Sequence, residues 1–239
     1  MTRLDTDATA ERPSPPADDR FQADFADLGQ PMVHRRSYEV RAYHLGGTKL
    51  LIRGVVDDQA PPGMAIPTDT EPLRFHHMVV DVTIEMTTTN IDAIEVRFEE
   101  HPHLECVKIA DTYQRLVGTP IGRGYSNRVK ELFGGPRGCT HVLALLQALA
   151  PVVAQARWPM FSLMRTTEGG TGKQEQMSPE QRRMLSRANL NTCHVWAEDG
   201  EIMSLVDQGR PVPVPDPILR RMTELDLDPT TWTKSPHPR

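Results

Sequence analysis

Phe75-His76-His77-Met78-Val79-Val80-Asp81-Val82-Thr83-Ile84-Glu85-Met86 decides the fold. His76, Met78, Val80, Val82, Ile84 and Met86 fall on one side of an extended chain, and His77, Val79, Asp81, Thr83 and Glu85 fall on the other. This two-residue period predicts a strand half-buried against a core, with His76 turned inward and His77 towards solvent. Thr87 to Asn90 reads as a turn. Beyond it Ile94, Val96 and Phe98 point back inward against Glu95, Arg97 and Glu99, which predicts a hairpin. Upstream, His34 to Tyr43 alternates β-formers with charges, Gly46-Gly47 punctuates, and Lys49 to Val56 forms a second run, giving another hairpin signature. Ala60 to Pro72 holds four prolines and reads as a connecting loop.

Downstream the period changes. Cys106, Ile109, Ala110, Tyr113, Leu116 and Val117 recur at helical spacing until Gly118 and Pro120 stop the run. A shorter helix is expected from Ser126 to Phe133, ended by Gly134-Gly135-Pro136. Thr140 to Arg157 carries Val142, Leu143, Leu145, Leu146, Leu149, Val152 and Val153, an apolar face wide enough for burial on most sides. His141 shares a face with Leu145 and Leu149. Ser178 to Ala188 reads as a polar helix, and Thr192 to Leu205, with Asp199-Gly200 between two runs, reads as a final hairpin. The expected class is α+β: an antiparallel sheet over 35–56, 75–86 and 91–99, with helices near 105–117, 126–133 and 140–157 packed on one face. Residues 1–33 are expected to be a disordered tail, 34–206 a single domain, and 207–239 a surface extension.

At 239 residues with 38% apolar content the chain can bury a substantial core, and a net charge of −5 with interspersed signs leaves no footprint for a nucleic-acid backbone. Nucleic acid and membrane are not expected as partners; a small-molecule substrate is, with a homo-oligomer left open. The absence of a long apolar stretch and an odd count of three cysteines suggest a cytoplasmic protein with reduced thiols. Glu168 to Lys173 looks superficially like a phosphate loop, but Thr167 stands where a glycine is needed and Gln174 where Ser or Thr is needed. No dinucleotide fingerprint or serine elbow is present either, so no nucleotide cofactor is expected.

The chemistry-bearing residues are few. Cys106 opens one predicted helix, Cys139 opens another within Gly138-Cys139-Thr140-His141, His76 begins the decisive strand, and Cys193 precedes His194. A helix start favours thiolate, the form that binds metal or attacks carbon. His76, Cys106 and Cys139 are the candidate metal ligands, for zinc or iron, with a fourth position open to His141, Cys193, His194 or water. His76, Tyr113 and His141 are the candidate acid–base residues. The same cysteines and histidines can equally be core packing.

The series His76-x-Met78, Cys106, Leu116-Val117-Gly118, Gly138-Cys139-Thr140-His141, Cys193-His194 and Asp199-Gly200 resembles a bacterial family known only as a domain of unknown function, from His34 to about Leu205. Proteins resembling it look like members of catabolic gene sets for aromatic and other hydrophobic carbon sources. The order of strand, return strand, Cys at a helix start and Cys heading a long helix is also distantly similar to the U-type iron–sulfur scaffold and sulfur-acceptor fold. That similarity implies three metal-holding positions, at which His76, Cys106 and Cys139 stand here. His76 replaces a cysteine and Met78 replaces the nearby Asp, so exchangeable cluster transfer is disfavoured. The resulting expectation is a lyase that cleaves a C–C or C–O bond of an aromatic or hydrophobic substrate, loss of formaldehyde being one concrete case. A non-enzymatic zinc or iron–sulfur protein and a structural or adaptor module are the alternatives.

Overall fold

The computed structural model describes residues 30–167, 180, 186–187 and 189–229. Four strands, β1 (Arg35–Gly46), β2 (Lys49–Ala60), β3 (Leu73–Glu85) and β4 (Asn90–Glu100), lie side by side in chain order as an antiparallel meander. A 3-10 run (Leu104–Leu116) follows, then α1 (Tyr125–Phe133), α2 (Thr140–Thr167), α3 (Glu201–Asp207) and α4 (Asp216–Glu224). The fold is α+β, as the change of period implied. Among the described residues no helix is long and apolar enough to cross a membrane. The expected tail lies mostly outside the described residues, as does most of the polar helix expected at 178–188.

Contacts divide the chain into two units, Arg36–Gln59 with Arg74–Arg239, and Met1–Arg35 with Ala60–Leu73. In the smaller, the stretch after β2 is a series of turns closed by Met64 N–H to the Pro61 carbonyl at 3.2 Å and Asp69 N–H to the Ile66 carbonyl at 2.9 Å. The larger unit contains the core. Strand alternation puts Leu50, Ile52 and Val56 of β2, Met78, Val80, Val82 and Ile84 of β3, and Ile91, Ile94 and Val96 of β4 into one cluster. Tyr113 and Leu116, then Val129, Leu132 and Phe133 of α1, then Val142, Leu145, Leu146 and Leu149 of α2 close it from the helical side. β3 and β4 pair with Val80 opposite Val96 and Val82 opposite Ile94. Between Ile52 and Val56 the inward position is Gly54, where a Cβ would stand 2.7 Å from Leu149 Cδ2 and 3.0 Å from Leu145 Cδ1. α2 therefore seats directly on β2.

The outward face is charged. Arg53 grips Asp81 through Nε and Nη2, both at 2.6 Å, and Arg97 reaches the same carboxylate at 3.1 Å. At the β3–β4 turn, the Thr87 N–H and the Thr48 and Thr87 hydroxyls hold the Glu85 carboxyl down at about 2, with Lys49 adding to the effect.

Three elements differ from the sequence reading. The helix expected at 105–117 is a 3-10 run, because burial returns every three residues: Cys106, Ile109 and Ala110 are part-buried, Tyr113 and Leu116 fully so. The final hairpin is instead a 3-10 turn (His194–Trp196) followed by α3. Gly200 starts a helix there, with Ser204 N–H returning to its carbonyl at 3.0 Å, and Met203 and Val206 bury one turn apart. α2 runs past Arg157 to Thr167 with Pro151 and Pro159 inside it, each lacking the N–H of a ladder bond without ending the helix.

Candidate functional site

The inward row of β2 runs Leu50, Ile52, Gly54, Val56 and then Asp58, a carboxylate only 2% exposed in line with the core. An ionised group in such a place must be paired. On β1, Arg36 lies on the same side as Val40, and its Nη2 and Nε donate to Asp58 Oδ2 and Oδ1 at 2.6 and 3.2 Å. On β3, His76 occupies the inward row one step before Met78, and its Nδ1 lies 3.0 Å from Asp58 Oδ2. The helix supplies the fourth member. His141 stands one turn before Leu145, whose seating against Gly54 fixes the start of α2 over the sheet, and its Nε2 lies 3.3 Å from Asp58 Oδ2 and 2.8 Å from Arg36 Nη2. The two imidazoles stack with centroids 3.9 Å apart. Three adjacent strands and one helix thus converge on a single carboxylate oxygen.

Two partners of opposite kind meet His141 Nε2. Arg36 Nη2 can only donate and the Asp58 carboxylate can only accept, so Nε2 stands between a donor at 2.8 Å and an acceptor at 3.3 Å, while Nδ1 faces Cys139 Sγ at 3.6 Å. Burial, then the neighbouring His76 and Arg36, push His141 below the ordinary histidine value and outweigh the opposing pull of Asp58. Burial thus favours the neutral imidazole at His141, the form that can bind a metal. The ligand atoms of Asp58, His76 and His141 all lie within 4.8 Å of one another, and this is the only such group of three or more among the described residues.

The residues named from sequence divide accordingly. His76 and His141 come together, and Cys139 adjoins them through its contact with His141. Tyr113 is fully buried, its phenol pushed up to about 12 mainly by burial, and its oxygen accepts the Cys139 backbone N–H at 2.9 Å. Its place is beneath the start of α2, holding Cys139 and hence the helix entry. Cys106 and Cys139 do not join His76 in the three-ligand group. Cys193 is exposed at the cap of the His194–Trp196 turn. Asp58 and Arg36 were not among the residues singled out from sequence. Extending the β2 alternation two residues past Val56 reaches Asp58, which is the signal that would have found it.

A model of the family described as a protein of unknown function (DUF2889) matches residues 34–155. The chain belongs to that family. Its matched region contains Arg36, Asp58, His76, Tyr113, Cys139 and His141 as well as Cys106, whereas Cys193 and His194 fall outside it. No curated protein and no solved structure matches the chain. The DUF2889 match spans the whole sheet and the first part of α2, so the family region is the one that builds the Asp58 cluster.

Proposed function

We propose that this protein is a small-molecule lyase whose centre is a divalent metal, zinc or iron, held by Asp58, His76 and His141. The observation that carries this reading is geometric. Around a tetrahedral zinc with bonds of about 2.0–2.2 Å, ligand atoms lie roughly 3.3–3.6 Å apart. Asp58 Oδ2 is already 3.0 Å from His76 Nδ1 and 3.3 Å from His141 Nε2. Two imidazoles and one carboxylate leave coordination positions open, the pattern of catalytic rather than structural sites. A metal held there would supply Lewis acidity towards a substrate oxygen. Asp58 and the two histidines would hold and orient it, with the buried carboxylate on the core side.

The reaction that suits this inventory needs no nucleotide or oxidant. A primary alcohol on a side chain loses its proton, the C–C bond to the neighbouring carbon breaks, formaldehyde leaves, and the electron pair stays on the carbon next to an aromatic ring until that carbon is protonated. One bond to carbon is exchanged for one to hydrogen, so the step is redox-neutral. The aromatic substrate class rests on the family resemblance alone.

A second reading has its own observation. His76 Nδ1 beside the buried Asp58 fixes the ring so that Nε2 can take a proton, a His–Asp base that needs no metal. The test strips the protein with a chelator, restores Zn²⁺ or Fe²⁺, and follows formaldehyde release from aryl-substituted hydroxymethyl compounds. Metal-dependent turnover lost in His76→Ala supports the metal lyase. Turnover indifferent to chelation selects the His–Asp base. Stoichiometric metal with no turnover selects the non-enzymatic metal protein, and neither metal nor turnover leaves the cluster as packing.

A further inference from the structure

Arg36 is the one member of the cluster that a metal would have to move. Its Nη2 lies 2.6 Å from Asp58 Oδ2 and 2.8 Å from His141 Nε2, so the guanidinium faces the same two atoms that would ligate the ion. A dication bonded to those atoms at about 2.0–2.2 Å leaves no room for an N–H between them. Arg36 is 39% exposed, against 20% for His76, 13% for His141 and 2% for Asp58, so it has the most open route to solvent of the four. Its fork is also built to grip a carboxylate at both oxygens. Beside a dication, with Asp58 the only carboxylate of the cluster, a displaced guanidinium leaves the centre with net positive charge.

We infer that Arg36 is an exchangeable counter-cation: a metal displaces it from Asp58, and the freed guanidinium then anchors a carboxylate-bearing substrate at the rim of the same site. This rests on the metal reading above. It assigns Arg36 a positioning role, and it makes the ligand class an organic anion. The two events are coupled. An anion that occupies Arg36 removes the competitor for Asp58, so anion and metal must each tighten the other's binding by the same factor.

The experiment titrates Co²⁺ into chelator-treated full-length protein, with and without benzoate, for wild type, Arg36→Gln and Arg36→Lys, with circular dichroism confirming the fold of each. The wild type should bind Co²⁺ more tightly in benzoate by several-fold. Arg36→Gln should bind it about tenfold more tightly without benzoate, the loss of one charge-assisted competitor, and should gain nothing from the anion. Arg36→Lys retains the charge without the fork, so it should still oppose the metal but lose most of the benzoate effect; it carries the test if Arg36→Gln does not fold. Equal Co²⁺ affinity in wild type and Arg36→Gln would overturn the exchange, and a benzoate effect that survives in Arg36→Lys would overturn the anchor. Absence of Co²⁺ binding from every protein, Arg36→Gln included, would instead refute the metal centre itself.

Discussion

On the inner face Asp58 is held by the Arg36 fork, and on the outer face Asp81 is held in the same two-pronged way by Arg53. The third partner separates them. Asp81 receives a second arginine, Arg97, and although burial pushes its carboxyl up, Arg53 and Arg97 together hold it below the usual carboxylate range. Asp58 receives two imidazoles, one of them pushed by burial towards its neutral form. The outer trio contains only groups charged near neutral pH, and Arg97 extends it to Glu95 and Glu99, both at 3.2 Å. The inner group contains bases that can bind a proton or a metal. An Arg–Asp pair on a sheet thus marks structure or chemistry according to what else reaches the carboxylate and how much water does.

That contrast can be broken residue by residue. The largest effect is expected at Asp58. Asp58→Ala strips the counter-charge from a buried cluster and should cost about 3 kcal/mol in urea denaturation, the lower end for a broken buried pair because Arg36 can turn to water. A cost below about 1 kcal/mol would mean that the inner pair is no different from the outer one. Next comes a pair of neighbours on β2. Gly54→Val pushes side-chain atoms into Leu149 and Leu145 and should cost about 1–3 kcal/mol. Arg53→Ala, one residue away on the outer face, should cost less than about 1 kcal/mol, as exposed ion pairs do.

Acidity sharpens the comparison further. His141 has a lowered proton affinity in the folded protein, so the unfolded chain binds more protons below the ordinary histidine value. Stability is full above about pH 6.5 and falls as pH drops below it. The groups facing His141 are Arg36, Asp58, His76 and Cys139. Melting curves from pH 7.5 to 5 should therefore show a decline in wild type that is shallower in His141→Gln, whereas Asp81→Asn should leave its slope unchanged. The smallest change is expected at Tyr125, whose buried hydroxyl has no hydrogen-bond partner among the described residues. Tyr125→Phe should be neutral or stabilising by about 1 kcal/mol on thermal melting.

Much of the architecture was legible because it depends on periodicity. The β3 alternation placed His76 inward, and the leucine-rich face of α2 placed His141 in line with Leu145. What was not legible depends on where an element ends. Taking β2 to stop at Val56, where apolar residues stop, hid Asp58, because a buried carboxylate looks like a strand terminator until its partners are known. Those partners, Arg36 and His141, are 22 and 83 residues away, and nothing local in the sequence joins them. Cys106 drew notice as a helix-start thiol. The segment winds as a 3-10 run with Tyr113 and Leu116 as its buried contacts, and Cys106 stays out of the three-ligand group.

The most direct test of the metal assignment is X-ray absorption at the zinc edge on protein reconstituted with one equivalent of Zn²⁺. A centre on Asp58, His76 and His141 gives only nitrogen and oxygen neighbours, at about 2.0–2.2 Å, and loses that ordered shell in His76→Gln. A sulfur shell near 2.3 Å would contradict it and return the metal to Cys106 and Cys139.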